Sequence, residues 1–119
     1  FAALAAEAEA WFAAGVAALH AEARPVFVNL TAAWCITCKV NEQLVLRTDP
    51  VQAAFAGRNL AYLKGDWTQG DAGIGALLRE HGREGVPLYL VYPAGGGAPA
   101  VLPQVLTEGI VLRAVAAAG

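Results

Sequence analysis

Charge and the usual chemistry-bearing residues are scarce in this chain. Of its 119 residues only 15% are charged, histidine and cysteine occur twice each, and methionine is absent. Eight Lys and Arg stand against ten Asp and Glu, a net charge of −2, with no basic run and no basic–aromatic interleaving. That pattern argues against a nucleic-acid partner. No uninterrupted apolar stretch approaches the roughly 18–20 residues of a membrane span. No basic n-region leads into an apolar core, so no signal peptide is expected. The chain begins at Phe1 and not at Met, and is read as excised from something longer. Apolar residues, by contrast, make up 57%, which rules out disorder over most of the length. A single domain over residues 1–119 is expected, large enough to bury roughly two thirds of the surface its unfolded chain exposes. Residues 1–10 are the one segment open to being a frayed lead-in from an upstream region.

The two cysteines sit together, in Trp34-Cys35-Ile36-Thr37-Cys38. Before them, Pro25 to Thr31 is apolar and β-branched enough for a buried strand. After them, Lys39 to Arg47 carries Val40, Leu44 and, less regularly, Val45 and Leu46 at helical spacing. A strand-to-helix junction is a place where a thiol becomes reactive, because unpaired backbone N–H groups and the helix dipole favour the thiolate. Cys35, at the first turn and nearer solvent, is expected to attack; Cys38, one turn deeper, to resolve. Three blander readings compete. A structural disulfide closing so short a loop removes little unfolded-state entropy. Zinc wants about four ligands, and only His20 and His81 remain, outside any finger-like spacing. Two unrelated core cysteines are the third alternative.

The rest of the chain alternates between helix and strand. Leu4, Trp11, Phe12, Val16 and Leu19 step at three to five, which predicts helix through residues 1–23, ended by Arg24-Pro25. A strand over 26–31 and the cysteine helix over about 35–47 follow. Thr48-Asp49-Pro50 restarts a helix over 50–56, with Asp or Thr as cap and Pro in the first turn. Further strands are expected over 60–64, 88–92 and 101–106. Asp71 caps a helix over 72–81 that Gly82 stops, and Thr107 caps the last helix. Pro103 demands an edge position for the fourth strand.

This order, with the cysteine pair after the first strand, resembles the thioredoxin fold over about residues 25–118. The class is α/β, with a central mixed sheet of four to five strands flanked by helices, plus an N-terminal helix. The resemblance implies that Gly85-Val86-Pro87 holds a cis proline facing the cysteines. A fold can hold such a bond because the trans preference of X–Pro is only about 0.5–1 kcal/mol. The backbone of Val86 would then be free to bond an extended substrate segment beside Cys35. Within the superfamily, Val26 to Glu42, Asp66-Trp67-Thr68 and Gly85 to Tyr89 are similar to the C-terminal periplasmic domain of the DsbD family of thiol:disulfide interchange proteins. Ile-Thr stands between the cysteines where ordinary thioredoxins have Gly-Pro and strongly oxidising relatives Pro-His, so a reducing role is expected.

The resemblance implies a disulfide reductase that needs no cofactor or metal beyond the Cys35–Cys38 pair. It implies a monomeric domain on the periplasmic side of the bacterial inner membrane. Its partners would be the membrane-embedded and N-terminal domains of its own parent protein and other periplasmic thiol proteins. A free-standing thioredoxin-like reductase, general or serving cytochrome c maturation, is the nearest alternative. A non-catalytic thioredoxin-fold binding module is the other.

Glu42 lies one turn beyond Cys38 on the same helix face, where a partly buried carboxylate could accept the Cys38 proton; the family carries an acid at this place. The alternative is a solvated glutamate paired with Lys39 or a similar neighbour. Trp34 is expected to pack beside the sulfurs and shield them, with Ile36, Val86 and Pro87 completing the rim. Thr37, between the cysteines, is expected to tune sulfur hydrogen bonding. Lys39 either favours the thiolate or snorkels at the surface. Asn29 departs from the family, whose better-known members carry a buried aspartate six residues before the first cysteine. An amide cannot titrate, so the proton must go to Glu42 or to water. Asn29→Asp is accordingly expected to make the Cys35 thiol titrate at higher pH through like-charge repulsion. An unchanged thiolate titration by ultraviolet absorbance refutes that expectation.

Overall fold

The computed structural model describes residues 24–119. The helix expected over 1–23, the lead-in 1–10 and His20 lie outside the described residues. The order is β1 (Val26–Thr31), α1 (Ile36–Asn41), a π-helical turn (Glu42–Leu46), α2 (Asp49–Gly57), β2 (Ala61–Asp66), α3 (Ala72–Glu80), β3 (Leu88–Tyr92), β4 (Ala100–Val101) and α4 (Glu108–Ala118). The strands form one mixed sheet in the order β2-β1-β3-β4. β1 runs parallel to β2, with Val26 opposite Ala61, and antiparallel to β3, with Val26 opposite Tyr92. This is the thioredoxin fold, with four strands among the described residues.

All six side chains of β1 are buried, as a near-continuous apolar run demands of a strand covered on both faces. Val26, Val28 and Leu30 pack with Ile74 and Leu78 of α3. Phe27 points the other way, into a core with Phe55 of α2 and Val111 and Val115 of α4. Its ring centroid lies 5.4 Å from that of Phe55 and 5.6 Å from that of Tyr62. Each such buried apolar side chain contributes about 1.5–3 kcal/mol. Asp71 and Thr107 cap α3 and α4 as expected, accepting from the amides of Ile74 and Ile110. Thr48 makes no side-chain cap to α2; its hydroxyl donates instead to the Val45 carbonyl at 2.7 Å.

Three expected boundaries move. The continuous cysteine helix breaks after Asn41, where the Arg47 amide reaches back five residues to the Glu42 carbonyl at 2.9 Å. The wider turn lets Val45 and Leu46, adjacent in sequence, both enter the core. The irregular spacing of those two residues is the sequence trace of the bulge. β2 runs on through Gly65 and Asp66, which pair with Leu30 and Thr31, and a Cβ at Gly65 would stand 2.7 Å from Leu30 Cδ2. Glycine is therefore part of the ladder at this close approach, and not the start of a loop.

The strand expected over 101–106 shrinks to Ala100–Val101 at the sheet edge, and Pro103 stands outside it. Beyond Leu102, whose amide still donates to Tyr89, the chain leaves the ladder for a side-chain clamp. Asn41, 2% exposed, donates to the Gln104 carbonyl and the Tyr89 hydroxyl, both at 2.8 Å, and accepts from the Leu106 amide at 3.1 Å. Asn41→Ala strands these partners and is expected to lower stability by about 3 kcal/mol, measured by urea unfolding. A loss within experimental error would mean the loop finds other partners.

Candidate active site

The end of β1 delivers the cysteines to the head of α1. After Thr31 the chain turns through Ala32, whose carbonyl accepts from the Cys35 amide at 3.1 Å. Cys35 occupies the N-cap of α1, and its Sγ accepts from the Cys38 amide at 3.2 Å. Cys35 and Cys38 are joined in a disulfide, their Cα atoms 5.3 Å apart. Cys35 is 6% exposed and Cys38 1%, so the order of depth is the one the helix turn predicts. An N–H aimed at Cys35 Sγ favours negative charge on that sulfur once the bond opens.

Two loops build the rim. The Val86–Pro87 peptide is cis. Val86 packs against the small buried cluster of Ala32, Cys35 and Cys38, while Pro87 is buried just ahead of β3. Opposite stands a support that sequence reasoning missed. The Ala33 amide donates to Thr68 Oγ1 at 2.8 Å, and Thr68 is itself tied through its amide and hydroxyl to Asp66 Oδ1. Asp66-Trp67-Thr68 is thus a side-chain-closed turn carrying the cysteine loop, and an Asp followed two residues later by Thr was its signal. Trp34 is 58% exposed and leans on Trp67, ring centroids 6.1 Å apart, with Nε1 donating to the Thr68 carbonyl at 3.4 Å. A Cβ at Gly85 would lie 3.5 Å from Trp67, so one indole sits between the cysteine loop and the Val86–Pro87 loop.

Beneath the pair lies a polar layer. Glu42 pairs with Lys64 of β2 at 2.6 Å, with side chains 18% and 33% exposed. The partner is therefore Lys64, not the Lys39 that helix spacing suggested, because β2 brings a lysine alongside the redox helix. Lys64 is in register with Asn29. Asn29 is fully buried; its Nδ2 donates to the Tyr62 hydroxyl at 2.8 Å, and its Oδ1 has no hydrogen-bond partner. Burial pushes the Tyr62 phenol up, against the pull of the Asn29 hydrogen bond. Burial likewise pushes Tyr89 up to about 12, against the bond from Asn41. Both amides therefore face neutral phenols at working pH. Lys39, Glu42, Lys64 and Asp66 line a pocket of about 330 Å³ with Thr31, Ala32 and Ala33. Ile36, Thr37 and Lys39 are exposed on α1. Among the described residues no group of three or more His, Cys, Asp and Glu is placed to hold a metal ion.

A disulfide at a strand-to-helix junction, faced by a cis X–Pro loop on a mixed β2-β1-β3-β4 sheet, is the arrangement of a thioredoxin-type dithiol. A thioredoxin-like family model matches residues 7–94, and the chain belongs to the thioredoxin-like family. It is 33% identical to the thiol:disulfide interchange protein DsbD of Yersinia pestis over 77 residues, 65% of this chain. The chain spans about 13% of the length of the curated relatives it matches. Its fold is similar to the oxidised C-terminal domain of Neisseria meningitidis DsbD, with a TM-score of 0.70 and 24% identity over 91% of this chain and 96% of that one. A thioredoxin from Thermus thermophilus follows at TM-score 0.67 and 19% identity, covering 86% and 78%. The family and the Cys35–Cys38 pair together define a thioredoxin-type dithiol–disulfide site.

Lys64 is paired with the carboxylate of Glu42, which stands one turn beyond Cys38. Lys64→Gln leaves that negative charge uncompensated and is expected to move the thiolate titration of the reduced protein to higher pH. A titration that does not move would show that Glu42 and the sulfurs are electrostatically independent.

Proposed function

We propose that this domain is a thiol:disulfide oxidoreductase that relays electron pairs from a membrane-embedded dithiol to disulfides of periplasmic proteins, as one domain of a DsbD-type membrane protein. The observation that carries the reading is the Cys35–Cys38 disulfide at the head of α1, with Val86 packed against it. Among the described residues no helix is long and apolar enough to cross a membrane; the membrane-embedded donor is, on this reading, another domain of the parent. The N-terminal domain of that parent and other periplasmic thiol proteins are the acceptors, and the domain works as a monomer on the periplasmic side of the inner membrane.

The cycle begins from the oxidised pair. A donor dithiol attacks the Cys35–Cys38 disulfide and leaves both cysteines reduced and the donor oxidised, with two electrons and two protons transferred. Reduced Cys35, as thiolate, then attacks one sulfur of the acceptor disulfide; the Cys35–acceptor bond forms and the acceptor S–S bond breaks, releasing an acceptor thiolate that takes a proton. Cys38 gives its proton to Glu42 or to water and attacks Cys35 Sγ. The internal disulfide reforms, the mixed disulfide breaks, and the acceptor leaves as a dithiol. Asn29, uncharged, adds no like charge beneath the sulfurs, and Lys39 adds positive charge nearby; both hold the thiols in a range where thiolate is available. Trp34, Ile36, Thr37, Val86 and Pro87 form the rim against which the acceptor chain lies.

The test is reduction of insulin with a dithiol regenerant, followed by precipitation of the free B chain. Cys35→Ser is expected to abolish turnover, and Cys38→Ser to stop after one event as a covalent mixed disulfide resolvable on a non-reducing gel. Turnover retained by Cys35→Ser refutes the assignment of the attacking sulfur. Failure of the wild type to reduce insulin refutes the enzyme reading.

A further inference from the structure

Ala33 and Trp34 lie beyond the end of the β1–β2 ladder, exposed, on the short stretch that carries Cys35 into α1. Both are tied to one residue across the site. The Ala33 amide donates to Thr68 Oγ1 at 2.8 Å, and Trp34 Nε1 donates to the Thr68 carbonyl at 3.4 Å. Thr68 is itself held. Its amide donates to Asp66 Oδ1 at 2.8 Å and its hydroxyl donates to the same oxygen, which leaves a lone pair of Oγ1 for the Ala33 N–H. Asp66 pairs with Thr31 in the ladder, and the Trp67 amide donates to the Thr31 carbonyl at 2.8 Å. Thr31 and Ala33 are thus fastened to the same turn, one by backbone and the other by a side chain. Exposed groups gain little stability from such bonds, because water would serve them nearly as well. What the bonds fix is position.

We infer, on the thiol:disulfide reading above, that Thr68 is a positioning residue for the resolving step, with Asp66 setting the direction of its hydroxyl. Cys35 is the N-cap of α1, with φ −88° and ψ 103°, and its own amide donates to the Ala32 carbonyl at 3.1 Å. The residue that must keep this extended conformation therefore hangs from the Ala32–Ala33 segment that Thr68 anchors. In the oxidised pair the cysteine Cα atoms stand 5.3 Å apart, and the Cys38 amide donates to Cys35 Sγ at 3.2 Å. Once Cys35 is bonded to an acceptor the internal sulfur link is gone, and the backbone alone holds Cys35 in place. Cys38 reaches Cys35 Sγ only if the N-cap conformation survives, and an error of about 1 Å in such a geometry costs on the order of 10²-fold in rate. In the step itself the Cys38 thiolate gives an electron pair to Cys35 Sγ, the mixed disulfide breaks, and the acceptor sulfur leaves as thiolate with that bond's pair. Thr68 takes no part in the bonds exchanged; it acts through Ala33.

The test is a single turnover of the reduced protein with one equivalent of a small aryl disulfide. Attack by Cys35 releases the first aryl thiolate and attack by Cys38 the second, so the second phase reads the resolving step alone. Thr68→Val removes the hydroxyl but keeps the branched shape and the backbone carbonyl; Thr68→Ser keeps the hydroxyl. The valine variant is expected to slow the second phase roughly ten-fold. By loosening the Cys38 N–H from Cys35 Sγ it is also expected to move the thiolate titration to higher pH. The serine variant is expected to match wild type, and the urea midpoints of both to stay close to it, because a freed Ala33 amide meets water. A second phase or a titration unchanged in Thr68→Val overturns the inference, as does a serine variant as slow as the valine one. Hydrogen exchange in the wild type checks the same bond without a variant: the Ala33 amide is expected to exchange roughly ten-fold more slowly than an open-chain amide, and exchange at the open-chain rate overturns the inference. A wild type that does not release both aryl thiolates overturns the underlying thiol:disulfide reading, and so is distinct from failure of the anchor alone.

Discussion

Burial of β1 on both faces is the constraint on which the site rests. Val26, Val28 and Leu30 are locked under α3, and Phe27 under α2 and α4, so the strand cannot slide or rotate without exposing one set to water. Its carboxyl end is therefore a fixed point, and Ala32 to Cys35 leave from it in a single turn. The same alternation puts Asn29 on the side of the redox helix, beside Lys64 and Tyr62. Sheet register thus decides which polar groups the sulfurs meet. A slip of one residue would bring an apolar side chain to the place of Asn29.

The buried members of the polar layer that register creates carry little net charge. Glu42 is answered by Lys64, Asn29 and Asn41 are amides, and Tyr62 and Tyr89 are held as neutral phenols by burial. Closest of all to the attacking sulfur is the local N–H from Cys38 to Cys35 Sγ. The one discordant atom is Asn29 Oδ1, buried without a donor. It lies in register with Lys64, which lines the pocket together with Glu42.

Much of this was legible in the residues, for identifiable reasons. The alternation of elements followed from periodicity, and the caps at Asp71 and Thr107 from side-chain chemistry that acts within three residues. The cysteine pair and the Val86–Pro87 loop were read from motif and resemblance. What escaped reading was long-range. Glu42 found Lys64 and not Lys39 because β2 lies across from α1, a relation that helix spacing does not encode. Asn41 reads as an unremarkable helix residue, yet it replaces the ladder bonds that Pro103 denies the fourth strand. Gly65 looks like the beginning of a loop until Leu30 is placed opposite it. Trp34 leans on Trp67, more than thirty residues away, a contact that its place beside the cysteines does not announce.

The position of Trp67 has one more consequence. A single indole touches the loop before the cysteines and the glycine ahead of the cis peptide, so two segments far apart in the chain share one ruler. Loss of that one ring would loosen the packing of both segments at once.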